Sequence, residues 1–212
     1  MDGGYEFTYP CECTIKKQMV ESLERSGISE EVLHKQIFET FKTDADYQKL
    51  MKNKALGFCN QNENTFFFVG GQVGCGKTHI CTAICKLYYD LVQPFYYVLY
   101  GEMMTKLKAN AMDEEVYDKY LYSINNIKVL FIDDLFKGKG KSGDGITEAD
   151  IKHLFRVINY RYLNNKVTII SSEKTLQEIL LIDQGIGSRI KEKCGQFAVS
   201  IGDDIKRNYR LK

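Results

Sequence analysis

Thr65-Phe66-Phe67-Phe68-Val69-Gly70-Gly71-Gln72-Val73-Gly74-Cys75-Gly76-Lys77-Thr78 is the stretch on which the reading of this chain turns. Its first half is an apolar run suited to a buried strand. That run leads directly into Gly71-x-x-x-x-Gly76-Lys77-Thr78, the Walker A pattern. Glycines let successive backbone N–H groups turn inward and approach phosphate oxygens with no Cβ in the way. Gly71, Gln72, Val73, Gly74, Cys75 and Gly76 would form the cradle, and Lys77 would set an ammonium between the β- and γ-phosphates. The Thr78 hydroxyl would ligate Mg2+, and the helix that opens at this point, with His79 in its first turn, aims its positive end at the same anion. By itself the motif establishes a phosphate site for ATP or GTP. Cys75 occupies a variable position in it, and an ordinary helix residue is the simpler role for His79.

The rest of the chain limits what can be built around that site. At 212 residues it has room for one good-sized α/β domain and a short appendage. Hydrophobic content of 44% and charged content of 27% are those of an ordinary soluble domain. The net charge is +1, so any surface that contacts DNA has to be local. No apolar run approaches the roughly 20 residues of a membrane span, and the N-terminus is too polar for a signal peptide, so no membrane partner is expected. Seven cysteines without a secretory signal point to reduced thiols in the cytoplasm.

Met1 to Lys16 reads as irregular or as a short β-hairpin, and Lys17 to Arg25 as a helix with Met19, Val20 and Leu23 on one face. Gly27 stops it, and Ser29-Glu30-Glu31 opens another short helix. Phe38 and Phe41 mark an apolar strap, and Asp44 to Phe58 is helical. After the Walker A strand, further strands are expected at Phe95–Tyr100, Lys128–Asp134, Val167–Ser171 and Gln196–Ile201, with helices between them. Thr147-Glu148-Ala149-Asp150 caps the long helix that runs to about Leu163. Two short helices surround Gly185 and Gly187. Strands and helices alternating at this spacing predict a five-stranded parallel sheet covered on both faces, with a short, mostly helical N-terminal extension. The domain reading is a linker region over 1–60 and an ATPase domain over 61–212.

Val129-Leu130-Phe131-Ile132-Asp133-Asp134 fits a Walker B strand. It would deliver Asp133 beside the Mg2+ on Thr78 and leave Asp134 to orient or deprotonate an attacking water. Thr168-Ile169-Ile170-Ser171-Ser172 ends in hydroxyls where a sensor residue could face the γ-phosphate, or else is simply a polar strand end. Arg189 is placed to reach a neighbour's nucleotide, or else to form a surface ion pair. Arg210 is placed to reach the phosphates in cis, or is a tail residue. Lys137, Lys139 and Lys141 in the glycine loop offer contacts to single-stranded DNA, with a solvated loop as the simpler alternative.

The order of these segments, with Ile158-Asn159-Tyr160-Arg161-Tyr162, Ser188-Arg189-Ile190 and Asn208-Tyr209-Arg210, resembles the AAA+ helicase-loader ATPases of the DnaC/DnaI kind, grouped with the IstB-type transposition helpers. The resemblance spans nearly the whole chain. It implies that Lys77 and Thr78 bind ATP or ADP with Mg2+, that Asp133 holds the metal, and that Asp134 is the catalytic acid's position. It also implies that Ser172 stands in for the sensor-1 Asn, that Arg189 is a finger acting in trans through self-association, and that Arg210 is the sensor-2 arginine. The implied partners are a replicative DNA helicase and single-stranded DNA, and the implied activity is a slow ATP hydrolysis. An IstB-type transposition helper is the near alternative, and a small-molecule P-loop kinase or a non-hydrolysing ATP-gated interaction protein the distant ones. Asp2-Gly3-Gly4-Tyr5 and Cys11-x-Cys13 look like the end of the family's Cys-rich knuckle. Two thiolates cannot close a tetrahedral zinc site. No zinc is therefore expected in this chain, and a longer native protein is.

Overall fold

Five strands, β1 (Phe66–Gly71), β2 (Phe95–Leu99), β3 (Val129–Leu135), β4 (Val167–Ser172) and β5 (Ala198–Ile201), form one sheet in the order β2-β3-β4-β1-β5. Every pairing is parallel. The computed structural model describes residues 11–25, 28–61, 63, 65–137 and 145–211, apart from the side chains of Arg25 and Arg210. The expectations placed on Asp2 to Tyr5, Gly27, Lys139, Lys141 and the Arg210 side chain lie outside those residues.

The central strand is β4, with β1 and β3 on either side of it. The ends of the Walker A and acidic strands therefore face each other across the end of β4. Along each strand the side chains alternate between two apolar layers. Phe67, Val69, Phe131 and Ile169 face one layer, which is completed by α1 (Glu12–Arg25), α2 (Glu30–Lys35), α3 (Asp46–Cys59) and α4 (Lys77–Asp90). Phe66, Phe68, Leu130, Ile132 and Ile170 face the other. That layer is closed by α5 (Tyr100–Ala109), α6 (Glu114–Asn126), α7 (Glu148–Leu163), α8 (Leu176–Ile182) and α9 (Gln184–Cys194). Phe66, Phe67 and Phe68 are each fully buried, a burial that stabilises by about 1.5–3 kcal/mol per side chain. Residues of α1 to α3, among them Met19, Leu33 and Phe58, share a core with the sheet.

Arg161, from the Asn-Tyr-Arg-Tyr segment, is a structural residue. Its guanidinium is completely buried and donates to the carbonyls of Ile124, Asn125, Ile127 and Val167 and to Thr168 Oγ1, riveting α6 and α7 to the start of β4.

Three boundaries differ from the sequence reading. The first helix begins at Glu12 rather than Lys17, because Cys11 Sγ accepts the Thr14 N–H at 3.3 Å and caps the first turn. Cys11 and Cys13 are joined as a disulfide, which corrects the expectation of reduced thiols for this pair; across the helix start their Cα atoms are 5.4 Å apart, within bridging range. The other five cysteines are free. Gly185 and Gly187 lie inside the single helix α9. A Cβ at Gly187 would sit 2.8 Å from Leu180 Cα, so the missing side chain is what lets α9 pack against α8. Gln196 and Phe197 form a 3-10 turn, so β5 starts at Ala198.

Candidate nucleotide site

The loop from Gly71 to Thr78 closes over the N-terminus of α4. Gly74 and Gly76 have φ of 72° and 100°, the left-handed region where a side chain is strained. Gly76 is the N-cap of α4, so the backbone N–H groups of the first helical turn point into the loop. A Cβ at Gly74 would lie 2.0 Å from Asn208 Oδ1, and Tyr209 N–H donates to Gly74 O at 2.9 Å. The C-terminal segment is thereby fastened to the outside of the phosphate loop. Lys77 is 7% exposed and donates from Nζ to the carbonyls of Gly71 (2.9 Å) and Gln72 (2.8 Å). Its ammonium spans the mouth of the loop.

Thr78 Oγ1 lies 3.4 Å from both carboxylate oxygens of Asp133, across from the end of β3. Asp133 is 3% exposed. Burial pushes its pKa up, while hydrogen bonds from Ser171 and Tyr97 act in the opposite direction. Tyr97 Oη donates to Oδ2 at 2.7 Å, and Ser171 Oγ donates to Oδ1. The next residue, Asp134, has φ 56°, and Phe136 has φ 59°. Here β3 carries one more residue than β4 between the pairs Ile132–Ile170 and Leu135–Ser172, a β-bulge that re-aims the Asp134 side chain. Such backbone costs about 1–3 kcal/mol per residue. It is held by the Asp134 N–H, which donates to Ser171 Oγ (3.0 Å) and Asp133 Oδ1 (3.1 Å). The Asp134 carboxylate is paired with Lys137 Nζ at 2.5 Å. The hydrogen bond to Asp134 is the main reason that the Lys137 pKa is raised, with smaller contributions from Glu173 and Asp133. Asp134 and Lys137 also line a cleft of about 510 Å³ with Tyr100, Glu102 and Lys106.

The structure thus gathers Lys77, Thr78, Asp133 and Asp134 at one edge of the sheet, and several other expected residues elsewhere. Ser172 is fully buried; it donates to Leu135 O at 2.6 Å and accepts from Lys174 N at 3.0 Å. The pleat sends Ser171 and Ser172 to opposite faces, so the hydroxyl beside Asp133 belongs to Ser171. His79 Nε2 faces the strap instead of the loop interior, 3.1 Å from Ile37 O and 3.4 Å from Thr40 Oγ1, with its ring edge-on to Phe41. Gln72 spends its side chain on Asp204 N and Val73 O, Val73 is exposed, and the Cys75 thiol is buried, with a pKa raised by burial. Arg189 sits on the opposite face of the sheet from α4. It donates to Asn159 Oδ1 and Gly185 O, both at 2.9 Å, and stacks over Phe155 and Tyr162. Sequence reasoning missed Tyr97 and the Lys137–Asp134 pair. The period-two pattern places Tyr97 on the same face as Asp133, but only the β2–β3 register brings the two together.

A family model for IstB-like ATP binding proteins matches residues 18–189. The chain belongs to this family. The chain is 35% identical over 230 residues to the uncharacterized protein YqaM of Bacillus subtilis strain 168, covering 97% of this chain and 67% of that one. It is 30% identical over 232 residues to the phage-like element PBSX protein XkdC of the same organism, covering 99% and 81%. Among solved structures, the DnaC helicase loader superposes with a TM-score of 0.65 at 20% identity, over 83% of this chain and 100% of that one. AMPPCP-bound DnaA from Aquifex aeolicus superposes with a TM-score of 0.65 at 18% identity, over 84% and 53%. The fold of this IstB-like chain is that of the AAA+ P-loop NTPases. Among the described residues, no helix is long and apolar enough to cross a membrane.

Proposed function

We propose that the protein binds ATP with Mg2+, hydrolyses it slowly, and uses the bound nucleotide to control assembly on a replicative DNA helicase and single-stranded DNA. The observation that carries this reading is the convergence of Lys77, Thr78, Asp133 and Asp134 at the ends of β1 and β3. The hydroxyl of Thr78 and the carboxylate of Asp133 are hard oxygen donors, a set that fits Mg2+. When bound, the metal would neutralise charge on the β- and γ-phosphates. The Gly71–Gly76 backbone and the Lys77 ammonium would hold those phosphates, ADP remaining after turnover. Asp134 would orient and deprotonate the attacking water, with Ser171 fixing the backbone on which Asp134 stands.

Two features support assembly control over rapid turnover. Lys137 holds Asp134 in an ion pair, so the general base is engaged until that contact opens. Arg189 is braced on a face away from its own phosphate loop and would act on the site of an adjoining copy. The helicase client rests on the likeness to a helicase loader; a transposition helper would use the same machinery.

Phosphate release from ATP tests the activity directly. The wild type should turn over at a low rate, Asp134→Asn should abolish release while keeping nucleotide binding, and Lys137→Ala should speed it severalfold. Absence of release under all conditions, with nucleotide still bound, would replace the ATPase by an ATP-gated binding protein. Co-purification with the cognate helicase, with and without ATP, tests the client.

A further inference from the structure

We infer that Tyr97, a β2 residue outside every nucleotide motif, is the positioning residue that holds Asp133 in the orientation required to share a divalent cation with Thr78. The inference rests on the Mg·ATP reading above and adds a residue to it.

The geometry is specific. Tyr97 is 2% exposed, and its ring packs edge-on against Phe131, with centroids 4.9 Å apart. Tyr97 and Phe131 are register partners, while Asp133 lies two residues further along β3 on the same face. The ring therefore runs along the sheet toward the strand end, and its hydroxyl meets Asp133 Oδ2 at 2.7 Å. The other oxygen, Oδ1, accepts from Ser171 Oγ and from Asp134 N–H. One oxygen is tied toward β2 and the other toward β4, so rotation about the carboxylate bond would break contacts on both sides. In this clamped pose both oxygens lie 3.4 Å from Thr78 Oγ1, presenting the whole carboxylate edge to the position where that hydroxyl would meet a metal. A phenylalanine would fill the same space in the core. The hydroxyl itself has no packing role, and a buried hydroxyl is costly unless bonded. Its use is to orient Asp133, as partners of metal ligands generally do; losing one typically costs about 10–100-fold in metal affinity.

The test uses the full chain and a fluorescent ATP analogue, titrated with Mg2+ for the wild type, Tyr97→Phe and Ser171→Ala, with thermal melting alongside. Tyr97→Phe should bind the analogue without metal as the wild type does, yet need about tenfold more Mg2+ for the half-maximal metal-dependent change. Mn2+ in place of Mg2+ should give an altered electron paramagnetic resonance spectrum in the variant. If the wild type responds to Mg2+ and Tyr97→Phe responds at the same concentration with the same Mn2+ spectrum, the inference is overturned and the nucleotide reading stands. If the wild type binds no nucleotide, both fall. Should Tyr97→Phe fold poorly, 3-fluorotyrosine placed at position 97 supplies the readout. Its fluorine resonance should move when Mg2+ is added to the nucleotide complex, and a resonance that stays fixed overturns the inference.

Discussion

Ser171 and Ser172 are chain neighbours with different surroundings, because successive strand residues point to opposite faces. Ser171 bonds Asp133 and carries the Asp134 backbone; Ser172 ties β4 to Leu135 and the turn at Lys174. Substitution should separate the two. Ser171→Ala should lower phosphate release by about tenfold or more, since the bulge at Asp134 loses its support. Ser172→Ala should cost about 1–3 kcal/mol of stability, from the buried groups it leaves unpaired, with turnover per folded molecule retained. Denaturant melts and rate measurements on the same samples decide this. At this scale the sequence makes Lys77, Thr78, Asp133 and Asp134 legible, because local spacing alone constrains them. Which hydroxyl reaches Asp133, and that Lys137 pairs with Asp134, depend on the β3 bulge and its register with β4. No motif carries that information.

The helices and strands were legible from periodicity wherever an element buries one face, and less so where a cap or a close approach decides. Helix α1 starts early because of a sulfur cap, and α9 runs through two glycines because Leu180 fills the space beside Gly187. Gly187→Ala should therefore destabilise the fold by about 1–3 kcal/mol through overpacking of α8 against α9, read as a lowered urea midpoint with unchanged nucleotide binding. A second prediction concerns the strap that His79 ties to α4. Burial lowers the His79 pKa, with the bond to Ile37 O acting the other way, so the folded state binds fewer protons than the unfolded chain. Stability from this group is then complete above about pH 6.5 and is lost as pH falls below it. His153 is shifted in the same direction by burial and by Arg156. In urea melts between pH 7.5 and 5.5 the wild type should lose stability, and His79→Asn should lose less over the same range. Equal losses would remove His79 from the account.

For the molecule as a whole, the sheet order places β4 between the two nucleotide strands and gives the two faces separate work. The α4 face holds the phosphate loop, and the N-terminal strap and C-terminal segment fasten to it through His79 and Tyr209. The opposite face braces Arg189 on Phe155 and Tyr162. On the proposed reading, a nucleotide at the ends of β1 and β3 would be completed by Arg189 of an adjoining copy, because the chain's own Arg189 is held on the face away from α4. The sequence implies both the phosphate loop and Arg189 but cannot place Arg189 on the face away from α4, since that follows from the crossover connections. The most direct test is the rate of phosphate release per chain from Mg·ATP as protein concentration is raised. For the wild type the per-chain rate should climb with concentration, and for Arg189→Ala it should stay flat and low at unchanged ATP affinity. A rate independent of concentration, and equal in wild type and Arg189→Ala, would contradict this reading.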